Sequence, residues 1–357
     1  MKTYIKFIIK SFFRGFIFVL MIMTCLIFIL NILSEIDFFK NTKVGNLFPL
    51  YLSFLNTPSM IFEIFPFIFL LSTQLFFIYI TKNNQLDIFT YSGFKNSKLV
   101  KIIAIFSLIL GVISIFFFYN ISSNLKNLYL GLKSNYTDDD KYLAVITNNG
   151  LWIKDKIEDK IIIVNALKLE NNYLVNAFIT ELNSNYEIIR NIKSKKIDIT
   201  NNEWIINEAL VYKDNIKMNG DLIKINSNFN YEKIQNLFSN LTALSIKELF
   251  ELKKSYNMLD YSVTEIDMHI AKLLTLPVYL MLITIFASNI MIYLKNTKNN
   301  TYKISLGLFL SVLIYYFANF SFVMGNTEKI SIFISISLPL LTLFIINFLM
   351  FKEINEK

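Results

Sequence analysis

Six long stretches almost free of charge constrain this chain more than anything else in it. They run at residues 15–34, 59–80, 101–120, 272–294, 304–323 and 331–351. A helix of about 20 residues is what crosses a hydrocarbon core of about 30 Å. Only helices and closed barrels satisfy their backbone there, so the predicted fold is a polytopic α-helical membrane protein with six transmembrane helices. Composition agrees: of 357 residues, 54% are hydrophobic, 16% aromatic and 17% charged, which is too apolar for an ordinary soluble domain. The first stretch follows Lys2, Lys6, Lys10 and Arg14. It is too long for a signal-peptide core and has no small-residue cleavage site, so it reads as a retained anchor.

Basic residues near the ends of the spans predict the orientation. The N-terminus carries Lys2, Lys6, Lys10 and Arg14, the loop after the second span Lys82, Lys95, Lys98 and Lys101, and the loop after the fourth Lys295, Lys298 and Lys303. These face the cytoplasm, both termini with them. The alternate loops are balanced, Glu35 and Asp37 against Lys40 and Lys43, Glu328 against Lys329. Residues 121–270 hold 18 basic and 20 acidic side chains, so the net charge of +8 arises outside them. The basic balance is a topology signal and does not argue for nucleic acid.

The segment between the third and fourth spans reads as β. KIIIVNALKLE, YLVNAFITEL, YEIIRNI, KKIDIT and EWIINEALVYK are rich in β-branched and aromatic residues. Turn signals at Asn149-Gly150, Asn201-Asn202 and Asn219-Gly220 punctuate them, which predicts one sandwich or rolled sheet outside the membrane. Ser245 and Glu248 then fit a capping box opening a return helix. The expected organisation is 1–124 for an N-terminal interfacial helix and three spans, 125–267 for the β-domain and return helix, and 268–357 for the last three spans.

Enzyme chemistry finds no foothold. No GxxxxGK[ST], HExxH or GxSxG occurs, and nine glycines leave little room for a phosphate loop. One His and one Cys argue against a zinc site. His269 stands four residues from Glu265 at the start of the fourth span, a pair without a nearby nucleophile, and is read as an anchor at the headgroup level. Glu63, near the outer end of the second span, is a charge in a costly place. Between the second and third spans, TKNNQLDIFTYSGFKNSK is too polar for lipid yet carries Leu86, Ile88 and Phe89. It reads either as a short helix over residues 82–93, closed by Gly93 and seated in a soluble partner, or as a plain re-entry turn. The four-residue spacing of Lys2, Lys6, Lys10 and Arg14 reads either as an interfacial helix or as a basic flank.

Several stretches taken together resemble the LptF/LptG family of lipopolysaccharide-export permeases, and LptG more than LptF. Pro58, Glu63 and Pro66 resemble the family's paired prolines with an acid between them. Asn84-Gln85-Leu86 through Ser92-Gly93 resembles its Ser-Glu-Leu...Ser-Gly motif, and Gly150-Leu151-Trp152-Ile153-Lys154-Asp155 its Gly-Leu-Trp-x-Lys-Asp. Trp204, Lys272 and Pro277 match further positions in order. The resemblance implies an ABC-transporter permease with a β-jellyroll-like external domain. Its partners would be an LptB-like ATPase dimer, an LptF-like permease and an LptC-like bitopic protein. Its cargo would be lipopolysaccharide, and it would hold no cofactor of its own, ATP and Mg being bound by the ATPase. It further implies ATPase coupling at Gln85, Leu86, Asp87, Phe89 and Gly93. Lipid-phosphate or cavity contacts would fall at Lys40, Lys43, Lys272 and Glu63. Gln85 stands where the family has Glu, and Ser34 where many relatives have a basic residue. The reading from residues alone leaves a second class open, a membrane-anchored sensor or assembly scaffold whose β-domain binds a partner.

Overall fold

The computed structural model describes residues 3–40, 44–45, 47–134, 136, 151–157, 160–170, 172–184, 186–213, 216–231, 234, 240–258, 262–295, 297 and 299–356. It divides into two compact units, Met1–Lys126 with Asp267–Lys357, and Asn127–Ile266.

In the helical unit α1 is Thr3–Phe38, α2 Phe48–Glu63, α3 Phe65–Lys82, α4 Gln85–Tyr91 and α5 Asn96–Ile113. A π-helical segment, Ser114–Tyr119, joins α5 to α6, Asn120–Ser134. After the β-domain come α7 (Ile246–Met258), α8 (Thr264–Tyr293), α9 (Asn300–Asn326) and α10 (Ile332–Glu356). Six helices among the described residues are long and apolar enough to cross a membrane, and each of the six expected spans overlaps one of them, the second only from Phe65 onward.

Two expectations are corrected in detail. The N-terminal segment is not a separate interfacial helix: α1 runs unbroken for 36 residues, about 54 Å at the helical rise. Ile8, Phe12 and Phe16 carry one buried stripe through the junction while Lys6, Lys10 and Arg14 stay exposed, so nothing breaks the helix. The second span is not one helix either. The chain breaks at Ile64, because Pro66 has no N–H to bond the carbonyl four residues back and its ring crowds the preceding turn. The π segment lies beside that break. It aims Phe118 and Tyr119 at Phe62 and Phe65, with ring centroids 5.1 Å apart for Phe62–Tyr119 and for Phe65–Phe118.

Lipid is as apolar as leucine, so helices in it associate through close packing and polar bonds, not through burial alone. Phe12 of α1 meets Phe76 of α3 and Phe106 of α5 edge-on at 6.1 and 6.0 Å. Thr284 of α8 donates to Ser107 of α5 at 3.0 Å. Asn347 of α10 donates to the Leu282 carbonyl at 3.0 Å. At Gly111 the backbones of α5 and α8 nearly touch, and an added Cβ would lie 2.8 Å from Pro277 Cα.

The β-domain is a single six-stranded antiparallel sheet with its strands in chain order. They are β1 Leu151–Ile157, β2 Lys160–Glu170, β3 Tyr173–Leu182, β4 Ile188–Asp198, β5 Glu203–Lys213 and β6 Ile216–Asn226. The two short segments expected at 186–192 and 195–200 merge into β4. Asn219-Gly220, expected as a turn, lies inside β6, since the pairing of Lys213 with Ile216 already closes that hairpin. Asn149-Gly150 lies outside the described residues.

A row of small residues explains Gly220. Ala166, Ala177 and Ser194 pair in succession across β2 to β4, and Ala209 faces Gly220 on β5 and β6. Beside this row the pairing lapses, with Asn176 and Glu208 both at φ 50. Such irregularities bend a sheet sharply, and this one rolls until its first strand reaches the segment after its last. The buried Asp155 carboxylate of β1 accepts bonds from Ser227 Oγ, Asn228 N and Asn228 Nδ2 at 2.8–2.9 Å. Trp204 Nε1 donates to the Phe229 carbonyl at 2.7 Å. The capping box holds as expected: Ser245 N and Oγ both donate to Glu248 Oε2 at 2.7 Å.

Gly111→Ala is expected to force α5 and α8 apart and lower stability by about 1–3 kcal/mol, the usual range for overpacking. Thermal unfolding of the whole chain in detergent measures it, and an unchanged midpoint refutes the close approach.

Candidate functional site

α4 is the short element between two spans, and its seven residues face two ways. Asn84, at φ 56, turns the chain into it and Gly93, at φ 74, turns it out. At the exit Phe94 N–H donates to the Phe89 carbonyl at 2.9 Å and Gly93 N–H to the Thr90 carbonyl at 3.0 Å. This is the bond pair of a Schellman closure, and its usual apolar contact is present as Phe94 on Phe89 at 5.4 Å. Phe7 and Tyr4 of α1 extend the cluster at 6.2 Å from Phe89 and 5.1 Å from Phe94. The Lys98 ammonium sits 5.2 Å from the Phe94 ring.

The apolar residues expected to dock a partner lie on the inner of these faces. Leu86, 2% exposed, and Phe89 are turned into the chain's own core, not outward. Ile88 and Tyr91, at 61% and 90% exposed, form the outer face. Gln85 buries an amide oxygen with no partner among the described residues. Asp87 is already engaged: Lys295, two residues past the end of α8, bonds its carboxylate at 2.6 Å. That ion pair places the last turn of α8 at the α4 end, and so puts the start of α8 at the opposite end of the bundle.

There the remaining candidates gather in part. Glu63 is the last residue of α2, exposed beside the Ile64 break, and its carboxylate acts electrostatically on Lys272 of α8. The Lys272 ammonium stands 5.2 Å from the Phe322 ring of α9. His269, one turn earlier, meets the Tyr119 hydroxyl at 3.0 Å, so it bridges α8 to the π segment and does not simply anchor one helix. Lys40 is exposed in the turn after α1. Lys43 lies outside the described residues.

One polar cluster escaped the sequence reading. Asn56 of α2 donates to Asn31 of α1 at 3.2 Å, Asn31 donates to Thr57 at 3.3 Å, and Lys126 of α6 donates to Asn56 at 2.9 Å. Glu35, 2% exposed, lies one turn beyond Asn31. A lone Asn within FILNILSE was the available signal, because polar side chains at membrane depth demand partners.

Leu86→Ala is expected to destabilise the protein by about 2–5 kcal/mol. Tyr91→Ala should stay within about 0.5 kcal/mol, as surface changes do. Thermal unfolding of the two variants side by side tests which face of α4 is rooted.

A search of curated proteins returned no match to the chain. The family model described as "Lipopolysaccharide export system permease LptF/LptG" matches residues 6–353. With span-length helices on both sides of an inserted antiparallel sheet, and that match over nearly every residue, the chain belongs to the LptF/LptG family of lipopolysaccharide export permeases.

Proposed function

We propose that the chain is the LptG-like permease subunit of an ABC transporter, driven through α4 by a separate LptB-like ATPase dimer that binds the ATP and Mg. As a family member it is a multi-pass inner-membrane permease of a lipopolysaccharide export system, a transport component and not itself an enzyme. The finer reading sets both termini and α4 in the cytoplasm and the β-domain in the periplasm. It pairs the chain with an LptF-like permease and an LptC-like bitopic protein, and it has lipopolysaccharide extracted from the membrane between the two permeases.

The observation that carries this reading is the two-faced build of α4. A plain re-entry turn has no reason to hold an isoleucine and a tyrosine bare to solvent on a helix closed by a Schellman motif and rooted by Leu86 and Phe89. A rooted helix with an apolar outer face suits insertion into a groove, with Ile88 and Tyr91 as anchors. Because Asp87 is spent within the chain, the missing acid at Gln85 is not replaced by it. Docking then rests on apolar contact. At the other end, Lys40 and Lys272 would meet lipid phosphates as compact point charges, and Lys43 is proposed for the same role. Glu63 balances Lys272 until a phosphate takes its place.

The test is retention of the ATPase by the affinity-purified chain in detergent. Wild type is expected to retain it, and Ile88→Asp and Tyr91→Ala each to lose about ten-fold or more of the binding, as buried anchors do. Full retention by both variants removes α4 as the dock. A wild-type chain that never retains an ATPase favours the scaffold reading.

A further inference from the structure

A closed circuit of polar contacts surrounds the α4 end of the helical unit. α3 leads into α4 through Asn83 and Asn84, whose N–H groups bond the carbonyls of Tyr79 and Thr81 at 3.2 and 3.0 Å. Asp87 of α4 accepts from the Lys295 ammonium at 2.6 Å. The Lys295 carbonyl accepts from the Lys303 ammonium of α9 at 3.4 Å. The Lys303 carbonyl accepts from Gln74 Nε2 at 3.1 Å, and Gln74 lies back on α3. The circuit therefore links the first half of the chain to the second twice, once at Gln74–Lys303 and once at Asp87–Lys295.

The two links differ in kind. Gln74 and Lys303 are 0% and 4% exposed, so their bond cannot exchange with water and fixes the start of α9 on α3. The side chains of Asp87 and Lys295 are 42% and 33% exposed. A half-exposed pair adds little to stability, because each charge finds water when the pair opens. It is a tie that holds direction yet can be broken and remade. It also joins the one short helix rooted in the first half to the end of α8, the helix that carries Lys272 at its far end.

We propose that the Asp87–Lys295 ion pair is the tie by which movement of α4 reaches α8 and the second half of the chain, Asp87 being a positioning residue and not a contact of the ATPase. The proposal rests on the reading of α4 as the ATPase dock, and it assigns Asp87 a different job within it.

The test uses the complete chain with its partner permease and ATPase in proteoliposomes loaded with lipopolysaccharide, counting lipid released per ATP hydrolysed. Asp87→Lys and Lys295→Asp are each expected to lower that ratio about five-fold or more, the lower end of usual coupling between sites. Combining the two reverses the pair, and the ratio is expected to return to within about two-fold of wild type, the mark of a direct interaction. Asp87→Asn, which keeps the shape without the charge, is expected to lower the ratio as well. Short thiol cross-linking of Asp87→Cys with Lys295→Cys in membranes checks the proximity without any ATPase. Normal ratios in the single variants, no recovery in the reversed pair, or no cross-link each overturn the tie. A wild-type chain that binds no ATPase sinks the coupling reading itself, and the tie with it.

Discussion

In a hydrocarbon solvent an apolar side chain gains nothing by leaving lipid for protein, so the contacts that choose one helix arrangement over another are the polar and sterically close ones. Each is small, on the order of 1 kcal/mol or less, and this chain distributes them along its length. Thr284 bonds Ser107 midway along the bundle, Asn347 and Asn289 join α10 to α8, Gln74 bonds Lys303 near α4, and Asn31, Asn56 and Lys126 meet far from it. No single bond locks the bundle. The aromatic edge contacts of Phe12 and the near-touch of Gly111 and Pro277 set the distances between these bonds.

That distribution accounts for the interruptions in the helices. The break at Ile64, the π segment at Ser114–Tyr119 and Pro277 within α8 all leave backbone that a regular helix would have satisfied. Non-helical backbone at membrane depth stands only where protein covers it or water reaches it. Here Phe62, Phe65, Phe118 and Tyr119 cover the first two, and Gly111 packs on the third. The charged and titratable groups Glu63, His269 and Lys272 border the same region. Irregular backbone and ionisable side chains share one neighbourhood of the bundle.

The sequence carried the spans well because a charge-free run of that length has one physical outcome. It carried the β-domain nearly as well, since alternation and β-branched residues mark strands whatever their neighbours. It misled where two meanings share one residue type. Asn-Gly reads as a turn, but Gly220 belongs to a crease of small residues that shows only when β2 to β6 are in register. Pro58 and Pro66 look alike in the chain, yet α2 absorbs the first and the second breaks it from α3. In α4 the stripes Leu86/Phe89 and Ile88/Tyr91 are both apolar at helical spacing. Which one faces inward was decided by Phe7 and Tyr4, some eighty residues earlier. Asp87 gave no hint of Lys295, because an ion pair 208 residues apart in sequence leaves no local pattern.

Two helices connect the ends where these side chains lie. α3 begins at the break beside Glu63 and ends at α4, while α8 begins near His269 and Lys272 and ends two residues before Lys295, which holds Asp87. Their 18 and 30 residues make rods of about 27 and 45 Å, stiff over that length except where Pro277 interrupts the second. α4 is joined to both rods, through the chain in one case and through an ion pair in the other. At the opposite end the rods stand on either side of the Glu63–Lys272 interaction. Glu63 and Lys272 thus stand beside the far ends of the two helices that α4 joins at the near end.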